Sequence, residues 1–295
     1  MMFLSKVSNV NVSRAVKPLA LLPLLSVGLL LSSVSFQALS ATDPIDAKDP
    51  LLLAVKSDFR TPNNVQRDTY RHPYETLEFF GVKPTDTVVE LWPGGGWYAE
   101  ILAPYLNNNG HYIGAIFDSN PKDEAQKNGY RATSAKKFNT WIENNKTHVS
   151  QAEVVTFDPP SYYSLGQNNS ADVVLTFRNL HNWAMKDYLL PVFQSAYKVL
   201  KPGGIFGVVE HRGKEGMLAN SGYMEQDEVI ALAKKVGFTL AASSEVNANV
   251  ADMKDYPNGV WSLPPRLKGG DTDKQKYLDI GESDRMTLKF IKPTR

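Results

Sequence analysis

The sequence predicts an α/β domain built on a doubly wound, mostly parallel, seven-stranded sheet whose final strand is antiparallel. Three observations carry this reading. Apolar, β-branched runs alternate with helical segments from Thr87 to Val236; the turn Pro93-Gly94-Gly95-Gly96 joins the first such strand to a helix; and the last two strand-like runs, Phe238–Ser244 and Arg285–Ile291, have no strongly amphipathic helix between them. Strands that alternate with helices pair in parallel through right-handed crossovers, which places helices on both faces of the sheet. A strand that lacks a crossover helix returns antiparallel.

Tyr74–Phe80 reads as a short amphipathic helix stopped by Gly81 and Pro84. Thr87–Trp92 is the first strand, and Trp97–Leu106 the helix after the glycine turn, with Ile101, Leu102 and Leu106 as its apolar positions. His111–Phe117 forms a second strand closing at Asp118, followed by one or two polar helices within Lys122–Asn144. Glu153–Phe157 and Asp172–Phe177 are the third and fourth strands; the helix Asp187–Leu200 then leads through the turn Lys201-Pro202-Gly203-Gly204 into the fifth, Ile205–Glu210. Met224–Val236 is a helix stopped by Gly237. Residues 245–284, with Pro257, Pro264-Pro265 and Gly269-Gly270, read as a long surface loop. A loop of that length in a compact domain is usually a lid or a binding element.

Composition bounds the function. The chain has 295 residues, 42% of them hydrophobic and 21% charged, enough apolar material for a large core. Its formal charge of +1 is a sum over two unlike parts: Lys6, Arg14 and Lys17 lie in the first 40 residues, which hold no acid, so the remainder carries a net charge of −2. A mildly acidic body without a Lys/Arg stripe argues against nucleic acid as a partner, since phosphate neutralisation supplies most of that affinity. The basic start, the apolar run Leu19–Leu31 and the small residues Ala38-Leu39-Ser40-Ala41 have the order of a secretory signal. Residues 1–41 are therefore expected to be a signal peptide or an uncleaved anchor, 42–80 a cap segment, and 81–295 the main domain, exported and periplasmic. Zero cysteines exclude disulfides and thiolate chemistry.

The glycine turn satisfies two templates. Gly94-x-Gly96-x-x-Ala99 matches a dinucleotide fingerprint, in which glycines let a pyrophosphate approach a helix start. Glu90-Leu91-Trp92-Pro93-Gly94-Gly95-Gly96 instead resembles the acid-x-Gly-x-Gly-x-Gly turn of class I S-adenosylmethionine-dependent methyltransferases. That resemblance extends over residues 70–292 and includes Asp118 at the end of the second strand, Asp158 at the end of the third, the Lys-Pro-Gly-Gly turn and the final strand. More narrowly, Tyr70-Arg71-His72-Pro73, Arg178-Asn179-x-His181-Asn182-Trp183 and Glu210-His211-Arg212 look like exported bacterial methyltransferases of unassigned substrate. It implies a Rossmann-like fold and S-adenosyl-L-methionine as cofactor, held by Glu90, Trp92, Gly94, Gly95, Gly96, Asp118, Asp158 and Asn179. In it Asp118 takes the ribose hydroxyls and Asp158 the adenine amine. Trp92 departs from the pattern, standing where the first glycine belongs; its indole either stacks on the cofactor or plugs the site.

Ligands of open α/β sheets bind beyond the carboxyl ends of the strands, where strand order reverses. Methyl transfer is an in-line displacement that needs alignment and removal of a proton. His181 is the first expected base and His211 the second, with Arg178 and Arg212 to hold a small, anionic acceptor. His181, Glu210 and His211 are residue types that could converge on a metal, but the adjacent arginines would repel a cation, so none is expected. Arg266, in the long loop, is placed to reach in. Two alternatives stay open: a non-catalytic ligand-binding module on the same scaffold, and a nicotinamide-dependent oxidoreductase.

Overall fold

The computed structural model describes residues 48–294, so the expected export segment, 1–41, lies outside it. Among the described residues no helix is long and apolar enough to cross a membrane. The described residues begin with four short helices, α1 (Pro50–Val55), α2 (Pro62–Val65), α3 (Asp68–Arg71) and α4 (Pro73–Phe80). Prolines start three of them, where the missing N–H costs nothing. Gly81, at φ 76°, ends α4.

The alternating core follows: β1 (Thr87–Leu91), α5 (Ala99–Leu106), β2 (His111–Ile116), α6 (Tyr130–Asn144), β3 (Ala152–Thr156), β4 (Ala171–Phe177), α7 (Leu180–Ala184), α8 (Leu189–Val199), β5 (Leu200–His211), α9 (Gln226–Val236), β6 (Thr239–Ser244), α10 (Lys274–Ile280) and β7 (Arg285–Ile291). The seven strands lie in the order β3-β2-β1-β4-β5-β7-β6, and β7 alone runs antiparallel to its neighbours. Successive side chains of β1 point to opposite faces: Val88 packs with Leu77, Phe80 and Leu102 on one side, and Val89 with Phe193, Phe206 and Trp183 on the other. Each of these buried side chains contributes roughly 1.5–3 kcal/mol. With both faces of the central strands β1, β4 and β5 covered, their ends are where a ligand can approach, and the order reverses between β1 and β4, opening a crevice there.

Three local expectations change. The expected helix Asp187–Leu200 forms as α8, and Asp187, at φ 59°, separates it from α7, a short helix that the sequence did not predict. Lys201-Pro202-Gly203-Gly204 is a bulge inside β5 rather than a free turn, because the register with β4 jumps from Ala171↔Leu200 to Val173↔Ile205. Residues 245–284 hold α10 and a short 3-10 turn, Gly259–Ser262. Their weak sequence signal follows from packing: Tyr277 is the single buried residue of α10, so no apolar stripe marks it.

Candidate active site

The two strand ends that flank the reversal point both carry a residue in the left-handed region, Trp92 at φ 48° after β1 and Arg178 at φ 62° after β4. Bulky residues there cost on the order of 1–3 kcal/mol, and such strain persists only where surrounding contacts impose it. Asn179 supplies one such contact, donating from Nδ2 to the Leu91 carbonyl at 2.9 Å and so tying the ends of β4 and β1 together. Between them lies a cavity of about 560 Å³ that includes Glu90, Trp92, Gly94, Gly95, Asn179 and His181 in its lining. A Cβ added at Gly94 or Gly95 would meet nothing within 4 Å, so the turn presents open backbone to the cavity. Glu90 is 2% exposed and accepts from the Tyr112 hydroxyl at 2.7 Å. Burial raises its carboxyl to about 7, against a smaller lowering by that hydrogen bond.

Glu210, fully buried at the end of β5, accepts from the backbone N–H of Leu180 (2.6 Å) and of His211 (2.9 Å), and lies 3.0 Å from His181 Nδ1. A carboxylate only accepts, so Nδ1 of His181 carries a proton toward Glu210, which makes Nε2 the ring atom available for proton transfer. His211 places Nδ1 on the Ser283 hydroxyl. Burial, then His181, Arg178, Arg285 and Arg71, push its imidazole well below the ordinary value, so it stays neutral. The ligating atoms of His181, Glu210 and His211 lie within 4.8 Å of one another. Each Nδ1 is nevertheless engaged in a hydrogen bond, and Arg178 stands beside them as a competing positive charge.

The opposite wall is cationic. Arg67, Arg71 and Arg285 converge on the carboxylate of Glu282, with Arg285 Nη2 at 2.7 Å and Arg71 Nε at 3.4 Å. Burial would raise the Glu282 carboxyl, but Arg285, Arg71 and Arg67 outweigh it and hold it at about 2. Arg178 completes the group; burial, then Arg285, lower its guanidinium to about 10. Of these, the sequence singled out Arg178; Arg71 was quoted within a motif without a role. Arg67, Glu282 and Arg285 carried no local signal, since the Arg67–Glu282 contact spans 215 positions. Arg266 does line the cavity, with Trp261 and Leu263 of the long loop. Arg212 does not: it forms a bidentate pair with Glu245 (2.8 and 2.6 Å) and another with Asp284, outside the lining. Its expected role in holding an acceptor is withdrawn on that ground.

The β2–β3 side differs from expectation. Asp118, Asp158 and Gly96 are not in the cavity lining. The Trp92 indole stands in the way, donating from Nε1 to the Phe157 carbonyl at 2.8 Å and packing on Phe117 and Trp183 at centroid distances of 4.5 and 4.8 Å. Asp158 pairs with Arg131 at 2.6 Å and accepts from the Asp118 N–H at 3.1 Å. Arg131 also lies over the Trp92 ring at 5.4 Å. The space left beside Trp92 and Phe117 is about 10 Å³, room for one water.

No family model matches the sequence, and neither does any curated protein. Solved structures do. The [4+2]-cyclase SpnF is similar with a TM-score of 0.51 at 15% identity, over 83% of this chain and 92% of its own. A candidate sarcosine dimethylglycine methyltransferase from Galdieria sulphuraria gives 0.51 at 15% identity, over 79% and 88%. A SAM-dependent methyltransferase from Aquifex aeolicus gives 0.49 at 15% identity, over 77% and 93%. At such identities the likeness to the cyclase and to the Galdieria sulphuraria protein shows the Rossmann-like fold and nothing beyond it. With a cyclase among its bearers, the reaction has to be argued from the site.

Proposed function

We propose that the cavity is the active site of an S-adenosylmethionine-dependent methyltransferase that methylates an oxygen or nitrogen of a small acceptor, with His181 as the base. The observation that carries this is His181, backed by the buried Glu210, lining the same cavity as the open glycine turn. When bound, S-adenosylmethionine supplies the electrophilic methyl carbon. Gly94 and Gly95 would hold it by close backbone approach, with Glu90 and Asn179 among the polar side chains that line the same cavity. At the nucleoside end the fit differs: Trp92, not Asp118 or Asp158, borders the cavity. Glu210 fixes the ring and tautomer of His181, whose Nε2 takes the acceptor proton; neutral His211 beside it adds no charge that would oppose the transfer.

Trp92 also favours a second reading, a module that binds a small molecule on this scaffold without a nucleoside-bearing donor. Titration calorimetry of S-adenosylhomocysteine into the chain lacking residues 1–41 separates the two. Micromolar binding, weakened by Glu90→Ala, supports the methyltransferase; absence of heat at millimolar ligand removes it and leaves the second reading. Export to the periplasm, expected from residues 1–41, belongs to the same proposal and is tested by fractionating cells that express the full chain.

A further inference from the structure

The arginine wall holds more positive charge than the protein neutralises. Arg67, Arg71, Arg178 and Arg285 surround the carboxylate of Glu282, and Asp284, itself paired with Arg212 and Lys254, acts further on Arg285. Arg71 and Arg285 are each 2% exposed, and Nη2 of Arg67, Nη2 of Arg71 and Nε of Arg285 are buried without any hydrogen-bond partner. Arg178 makes no side-chain hydrogen bond or ion pair among the described residues and is held in place by a left-handed backbone. Buried guanidinium donors left unpaired are costly, and native proteins keep them where something else completes them. Burial and the mutual repulsion of Arg178, Arg67 and Arg285 lower Arg71 well below its ordinary value, the signature of a site that an anion would relieve.

We infer that Arg67, Arg71 and Arg178 form an oxyanion-binding subsite, and that the molecule acted on carries a carboxylate or phosphate group that docks there. Guanidinium forks match both groups bidentately. Aromatic surface lies alongside: Arg71 sits 4.6 Å over the Trp97 ring, Tyr98 is stacked on Phe177 at 3.5 Å, and Trp261 approaches His181 at 5.9 Å. A small organic acid with an apolar body would therefore have its charged head on the arginines and its remainder between aromatic walls, within the cavity that His181 lines. As an anion site the subsite stands on geometry alone; as the acceptor's subsite it rests on the methyltransferase reading.

The test is calorimetric titration of inorganic phosphate and of benzoate into the chain lacking residues 1–41, in low-salt buffer, with and without saturating S-adenosylhomocysteine. Saturable binding is expected, weakened about tenfold or more by Arg178→Gln and by Arg71→Gln, the loss of a charge-assisted hydrogen bond. Arg212→Gln should leave it unchanged. Arg178→Gln removes no side-chain hydrogen bond or ion pair among the described residues, so it stays informative if Arg71→Gln does not fold. Preference between the two probes identifies the head group as phosphate or carboxylate. Absence of saturable binding, or equal affinity in Arg178→Gln, overturns the subsite. Displacement of the anion by S-adenosylhomocysteine assigns the cluster to the donor's own carboxylate and overturns the acceptor assignment. Anion binding without any S-adenosylhomocysteine binding sinks only the donor reading.

Discussion

Two halves of one crevice are built from similar residues and end up opposite in character. On the β2–β3 side Trp92, Phe117, Arg131 and Asp158 satisfy one another: the indole N–H has its carbonyl, the guanidinium has its carboxylate, and about 10 Å³ of space remains. On the side of β4, β5 and β7 the arginines share one acid, three of their polar nitrogens are orphaned, and the cavity is about 560 Å³. The difference teaches where a ligand is needed. A polar group already paired within the protein gains little from a ligand, whereas a buried unpaired donor gains the full worth of a hydrogen bond.

The largest effect should follow from breaking the open half at its base. His181→Gln is expected to lower S-adenosylhomocysteine release in the presence of acceptor by about 10²–10⁴-fold, the usual worth of a positioned proton acceptor. An unchanged rate would move the proton-removing role elsewhere. Trp92→Gly breaks the closed half. Removing a packed indole costs roughly 3–5 kcal/mol, partly offset by release of the strained φ, so chemical denaturation should show a net loss of about 2 kcal/mol. The same variant should bind S-adenosylhomocysteine more tightly if the indole obstructs the nucleoside, and more weakly if it stacks on it.

Glu90 sits between the halves and sharpens the comparison through pH. Its carboxyl is raised from 4.5 to about 7 in the folded chain. Between those values the folded state keeps a proton that the unfolded state has released, so stability falls as pH rises through the window, by about 3 kcal/mol in total. Glu90→Gln should remove that component, and denaturant unfolding at pH 4 and pH 8 measures it. The smallest effect is expected at the glycine turn. Gly95→Ala, whose Cβ would meet nothing within 4 Å, should change stability by no more than about 0.5 kcal/mol. Its effect on S-adenosylhomocysteine affinity then reports ligand approach without a folding contribution.

Much of this was legible from local pattern. Apolar, β-branched runs between helical segments marked the strands of the sheet, because strand and helix patterns depend on neighbours within a dozen residues, and the lack of a strongly amphipathic crossover helix in 245–284 marked β7 as antiparallel. His181 and Glu210 were legible as strand-end polar residues, since fold topology makes adjacent loops of β4 and β5. Arg212, one residue beyond His211, was not: its side chain turned to Glu245 and Asp284, a choice made by β6 and β7 packing.

Residue order thus determined the alternation of strands and helices, the glycine turn and the position of the crevice, all of which follow from backbone conformation and apolar periodicity. Tertiary structure alone decided what the crevice holds. It turned Trp92 across the ends of β2 and β3, and it brought Arg67 and Arg71 from the first helices against Glu282 and Arg285 at the far end of the chain. The physical reason is range: helix and strand preferences act over a few positions, whereas charge and orphaned donors act through space, between groups that no spacing in the sequence connects.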